Sequence, residues 1–85
     1  MTISIQAYLR ETLLFSDVRG KNYKYEIFEP NLDERFHVHI SRLDDLNDTQ
    51  VWAKIDEIYL SYVTKSIGSA ADEAGDHFDD TYRNA

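Results

Sequence analysis

The chain contains no cysteine, a single proline and only three glycines, none adjacent to another. Without cysteine there is neither a disulfide framework nor a thiolate metal site, and a reducing cytoplasm is the expected compartment. The isolated glycines exclude a Gly-rich phosphate loop, and no G-x-S-x-G motif occurs. No apolar run approaches the ~20 residues that span a bilayer, and residues 1 to 10 lack the basic and apolar regions of a signal peptide. Basic side chains are also scarce: nine Lys and Arg stand against sixteen Asp and Glu, a net charge of −7. The excess lies in the second half, where residues 41 to 85 hold four basic and ten acidic side chains. Such a balance repels phosphate backbones and anionic membranes, so no direct binding to nucleic acid or lipid is expected. It favours a cationic protein surface, approached under electrostatic steering.

Eighty-five residues make one small domain, and aromatics at 13% supply much of its buried area. A chain this short buries only somewhat above ~60% of its unfolded surface, so a partner or a second copy is a natural source of further stability.

The expected fold is α+β, in the order helix, antiparallel β-hairpin, long helix and short acidic C-terminal helix. Ile5, Tyr8, Leu9, Thr12 and Leu13 fall on one helical face, predicting a helix from Ile5 to Phe15 that ends at Asp17, Arg19 and Gly20. Residues 2 to 5 also alternate, so a short strand competes there. Tyr23, Tyr25 and Ile27 alternate with Lys24, Glu26 and Phe28. After the breaker stretch 29 to 34, Phe36, Val38 and Ile40 alternate with His37, His39 and Ser41. This pattern predicts a hairpin with Tyr25, Ile27, Phe36, Val38 and Ile40 facing the core. Asn47 and Gln50 are placed to cap a helix from Thr49 to Ile67, whose apolar residues would cover roughly 200° of its circumference. Gly68 would end that helix and Ser69 cap the next, Ala70 to about Arg83. A compact core over 1–68 and an acidic helix or tail over 69–85 follow.

Asp72, Glu73, Asp76, Asp79 and Asp80 recur at helical spacing with no Lys or Arg among them. At ~100° per residue they occupy an arc of about 120°, opposite Ala71, Ala74, Phe78 and Tyr82. Carboxylates one turn apart are roughly 5–6 Å apart, a spacing like that of phosphates on a strand, so the ridge suits a Lys/Arg groove that otherwise holds nucleic acid. The plain alternative is a solvated face that keeps the chain soluble. With like charges at i,i+4, Gly75 within it and Asp79 and Asp80 at its C-terminal end, such a helix is expected to fray unless Phe78 and Tyr82 dock. Asp44, Asp45 and Asp48 form a smaller acidic group that also suits a helix start.

His37 and His39 project from one strand face, a starting pair for Zn or Fe that would need Glu26 or His77 as a third ligand. The preferred reading is two half-exposed polar residues on the solvated face of a hairpin, and no metal or other cofactor is assigned. Asp56 and Glu57 are adjacent and point apart by ~100° in a helix, and Asp33 and Glu34 read as turn residues, so no catalytic group is assigned. Trp52, Tyr59 and Val63 are either core or an interface anchor.

In size, acidity, lack of cysteine and mixed α/β content the chain resembles in type the small anti-defence proteins of phages, including anti-CRISPR proteins. That resemblance implies a non-enzymatic inhibitor occupying a basic, nucleic-acid-handling surface of a larger protein. The residues expected to bind are Asp72, Glu73, Asp76, Asp79 and Asp80, with Phe78, Tyr82, Trp52 and Tyr59 as anchors. An antitoxin or immunity protein, and a homodimeric scaffold joined through the long helix, are the alternatives.

Overall fold

The computed structural model describes residues 7–30 and 35–84. Four strands, β1 (Ala7–Ser16), β2 (Asn22–Pro30), β3 (His37–Leu46) and β4 (Thr49–Tyr59), precede one helix, α1 (Ile67–Thr81). The strands form an antiparallel meander in the order β1-β2-β3-β4, and the helix lies on one face of that sheet. The expected α-β-β-α-α order is therefore replaced by β-β-β-β-α. The helix assigned to Ile5–Phe15 is strand over its described residues, and the one assigned to Thr49–Ile67 is strand up to Tyr59, then a connection that leads into α1 at Ile67; residues 2 to 5 lie outside the description.

The turns explain the connectivity. Between β1 and β2 the Asp17 carboxylate accepts the backbone N–H groups of Arg19 and Lys21, both at 2.9 Å, and Gly20 takes φ +85°. These bonds hold the Asp17 carboxyl below the usual carboxylate range, led by the one from Lys21. Between β3 and β4, Leu46 pairs directly with Thr49 across Asn47 and Asp48, whose φ angles are 52° and 64°. Two consecutive left-handed residues make the two-residue hairpin turn whose twist matches the strands, and Asn and Asp tolerate that conformation best after glycine. Asn47 is thus a turn residue, not a helix cap.

The β2–β3 hairpin pairs Tyr25 with Ile40 and Ile27 with Val38, and all four are fully buried, with Phe36 close behind. Their side of the sheet receives α1, which contributes Ala70, Ala74 and Phe78 to the core. Phe78 stacks on Phe15 at 4.7 Å and meets Tyr23 edge-on at 5.4 Å. The small Ala side chains let the helix axis approach the sheet closely, and the aromatic fills the remaining depth.

Gly68 ends no helix; it stands in the first turn of α1. The cap is Ser66, whose hydroxyl accepts from Ser69 N–H while the Ser69 hydroxyl accepts from Ser66 N–H. At the other end Arg83 C=O accepts the N–H of Val18, fastening the helix to the β1–β2 turn. Helix propensity alone is a poor guide here, because tertiary packing and caps supply the stability.

Two β-bulges complete the sheet. In β1 the register shifts between Leu9 and Glu11, leaving Arg10 as the extra residue. In β4, Ile40 pairs with Asp56 and Ser41 with Lys54, so Ile55 is extra. Each bulge reverses which residues face the core beyond it.

Candidate functional site

The expected binding residues divide between two opposite surfaces. On α1, Asp72, Asp76, Asp79 and Asp80 are exposed on the side away from the buried Ala70, Ala74 and Phe78. Asp79 pairs with Arg83, while Asp72, Asp76 and Asp80 have no hydrogen bond or ion pair among the described residues. Four residues of helix rise about 6 Å, so these three carboxylates stand in a row one turn apart.

Glu73 turns aside from that row. Its carboxylate accepts the Ser61 N–H at 2.8 Å, the Ser61 hydroxyl at 2.9 Å and the Thr64 hydroxyl. Burial pushes this carboxyl up, but the three donors outweigh it and hold the pKa below the usual glutamate value. Glu73 is therefore a clamp on the segment between β4 and α1. Phe78 is fully buried in the chain's own core, and Tyr82 is half-buried, stacked on Tyr23 at 5.0 Å. Burial raises the Tyr82 phenol above its ordinary pKa.

Trp52 and Tyr59 belong to β4 and lie on the sheet face opposite the helix. Because Tyr23, Tyr25 and Ile27 point to α1, their neighbours Lys24, Glu26 and Phe28 point away. The Lys24 ammonium sits 4.8 Å from the Trp52 ring, which places Trp52 on the same open face. There Phe28 stacks on His37 at 5.1 Å, and His37 lies 5.8 Å from Tyr59. Trp52 is 40% exposed and Tyr59 57%. Nothing in this arrangement belongs to a long amphipathic helix, so the dimer seam expected on one has no counterpart.

His37 and His39 do share that face, their rings 5.4 Å apart. Glu57 approaches His39 Nε2 at 2.8 Å but also accepts from Lys54 at 2.7 Å. The Lys54 bond leads in holding the Glu57 carboxyl below its ordinary pKa. His77 is on the opposite layer, bonded to Tyr25, and no group of three or more His, Cys, Asp or Glu among the described residues is arranged to hold a metal ion.

Asp44 and Asp45, expected near a helix start, are strand residues of β3. Asp44 binds Arg42 through two bonds, at 2.8 and 3.3 Å, and Lys21 at 3.1 Å. Arg42 chiefly lowers the Asp44 carboxyl and is itself raised by it. These groups border an open cleft of about 640 Å³ beside Tyr23 and Tyr82, where opposite charges already satisfy one another.

No family model matches the chain, and neither the curated proteins nor the solved structures contain a match to it. Among the described residues, no helix is long and apolar enough to cross a membrane.

Proposed function

We propose that the protein is a non-enzymatic acidic binding protein that occupies a basic, nucleic-acid-handling surface of a larger protein, as phage-type inhibitors do. The observation that carries this reading is the row Asp72, Asp76 and Asp80, exposed and uncompensated on a helix whose opposite side is locked into the core. A solvated tail would hold its charges in a changing arrangement. Here the Ser66–Ser69 capping box, the Glu73 clamp, the Phe78–Phe15 stack and the Val18–Arg83 bond support the row along its whole length. Preorganised charges lose little conformational freedom on binding, and they steer association with a cationic groove.

Asp79 is the flank of the row, tempered by Arg83, and Glu73 contributes by position rather than contact. The mechanism is competition: the partner's Lys and Arg side chains engage carboxylates in place of phosphates.

The test compares the native chain with the triple variant Asp72→Asn, Asp76→Asn, Asp80→Asn in pull-downs from host lysate. The expected result is capture of a nucleic-acid-binding protein by the native chain alone, with release by salt and by added nucleic acid. Equal capture by both chains, indifferent to nucleic acid, removes this reading.

A further inference from the structure

We infer that the open face of the sheet is the contact surface for a second copy of the same chain, stacked face to face about a two-fold axis. This surface is on the opposite layer from the acidic row, so the inference goes beyond the function proposed above.

The side chains of the open face fall into rows that run across the sheet. Register places Lys24 beside Ser41, and Ser41 beside Lys54; the next row places Glu26 beside His39, and His39 beside Glu57. Two lysines therefore lie in one row and two glutamates in the row adjoining it. An apolar row flanks each: Leu43 with Trp52 beyond the lysines, and Leu9, Phe28, His37 and Tyr59 beyond the glutamates. The boundary between the charged rows follows the buried line Leu13–Tyr25–Ile40.

A two-fold axis along that line, in the plane between two stacked sheets, exchanges the rows. Lys24 of one copy then meets Glu26 of the other, and Lys54 meets Glu57. Tyr59 comes over Trp52, and His37 over Leu43. Every pairing occurs twice, as an isologous interface requires. Any shift by one row along the strands sets like charges against each other or apolar rings against charge, so the pattern specifies one register.

The central pair is the most telling. Lys24 and Glu26 are half-buried on an inner strand, yet neither forms an ion pair within its own chain among the described residues. Lys24 instead rests over the Trp52 ring. Each lacks the counter-ion that the dyad supplies. Stacked sheets lie about 10 Å apart, a gap that a lysine and a glutamate side chain span together.

The size is adequate. Four strands at ~4.8 Å and about nine residues at ~3.4 Å give a projected face on the order of 600 Å². Corrugation raises its accessible area toward the ~800 Å² per partner of a standard interface.

Sedimentation equilibrium on the full chain reads the result directly, using Lys24→Glu and Glu26→Lys. The native chain should sediment at twice its 9.9 kDa mass. Each variant alone should sediment at the mass of one chain, because Glu would face Glu, or Lys face Lys. An equimolar mixture of the two variants should return to the doubled mass, since opposite charges meet again in the mixed pair. A native chain that stays at single mass at every concentration overturns the inference. So do variants that remain double on their own, and a mixture that fails to recombine. None of these outcomes alters the carboxylates of α1, so this test and that of the proposed function fail independently.

Discussion

The Tyr25 hydroxyl lies 2.8 Å from His77 Nδ1 and joins the middle of the sheet to the helix above it. Tyr25 is fully buried, and burial pushes its phenol pKa far up, so the hydroxyl stays protonated and shares one hydrogen bond with the imidazole. The bond is a polar pin in an otherwise apolar contact, placed beside the edge-on Phe15–Tyr25 pair.

Tyr25→Phe keeps the ring and its packing and removes only the pin. The expected loss is about 1 kcal/mol, that of one hydrogen bond whose partner still reaches water. Urea unfolding should show a lower midpoint with an unchanged slope; an unchanged midpoint would show that the pin carries no stability.

Phe78→Ala should be far more damaging. It empties the site enclosed by Phe15, Tyr23 and Tyr25, at a cost of about 3–5 kcal/mol. That is a large share of the ~5–15 kcal/mol that holds a domain folded. Circular dichroism should show the helix and the sheet melting together at a much lower temperature. Loss of the helical signal alone would mean that the two layers fold separately.

Glu73 links stability to acidity. Its pKa is lower in the folded chain than the ordinary 4.5, so its contribution is present above that value and fades as pH falls through the folded one. Relative to Glu73→Gln, the native chain should be more stable by about 1 kcal/mol at neutral pH, after allowance for the carboxylate's contact with water. The difference should shrink as the pH is lowered below 4.5. A gap independent of pH would assign the effect to shape and not to charge.

The Asn47–Asp48 turn offers a stabilising change. Asp48 sits at φ 64°, a conformation that glycine adopts without penalty. Asp48→Gly should raise the melting temperature by a few degrees, and the β-branched Asp48→Val should lower it. The reverse order would contradict the left-handed turn.

Much of the misreading of β4 traces to its bulge. Val51, Ile55 and Ile58 are spaced by four and three, the signature of a helical face. In the structure Val51 and Ile58 both point toward α1 because Ile55 is the extra residue that reverses the alternation. Trp52 and Tyr59 then supply apolar groups to the other face, which spreads hydrophobicity around an imagined helix. In β1, Arg10 blurs the pattern in the same way around Tyr8, Leu9 and Leu13. The β2–β3 hairpin has no bulge, and its alternation was plain from Tyr23 to Phe28 and from Phe36 to Ser41. Asn47–Asp48 was a visible hairpin signal, masked by the resemblance of Asn47 and Gln50 to a cap. The acidic row on α1 was readable because helical spacing persists there without interruption. The roles of Glu73 and Phe78 were not, since each depends on a segment distant in sequence. Lys24 and Glu26 acquire meaning only once four strands are in register.

Both outer strands carry their extra residue near the middle of the exposed edge, Arg10 on one side and Ile55 on the other. A bulge bends and twists the strand, so neither rim offers a straight run of free N–H and C=O groups to an incoming chain. Sheet extension, the route by which exposed edges grow into fibres, is therefore obstructed at both ends. Under the two-fold stacking inferred above, self-association is directed instead to the open face of the sheet, where it closes after two copies.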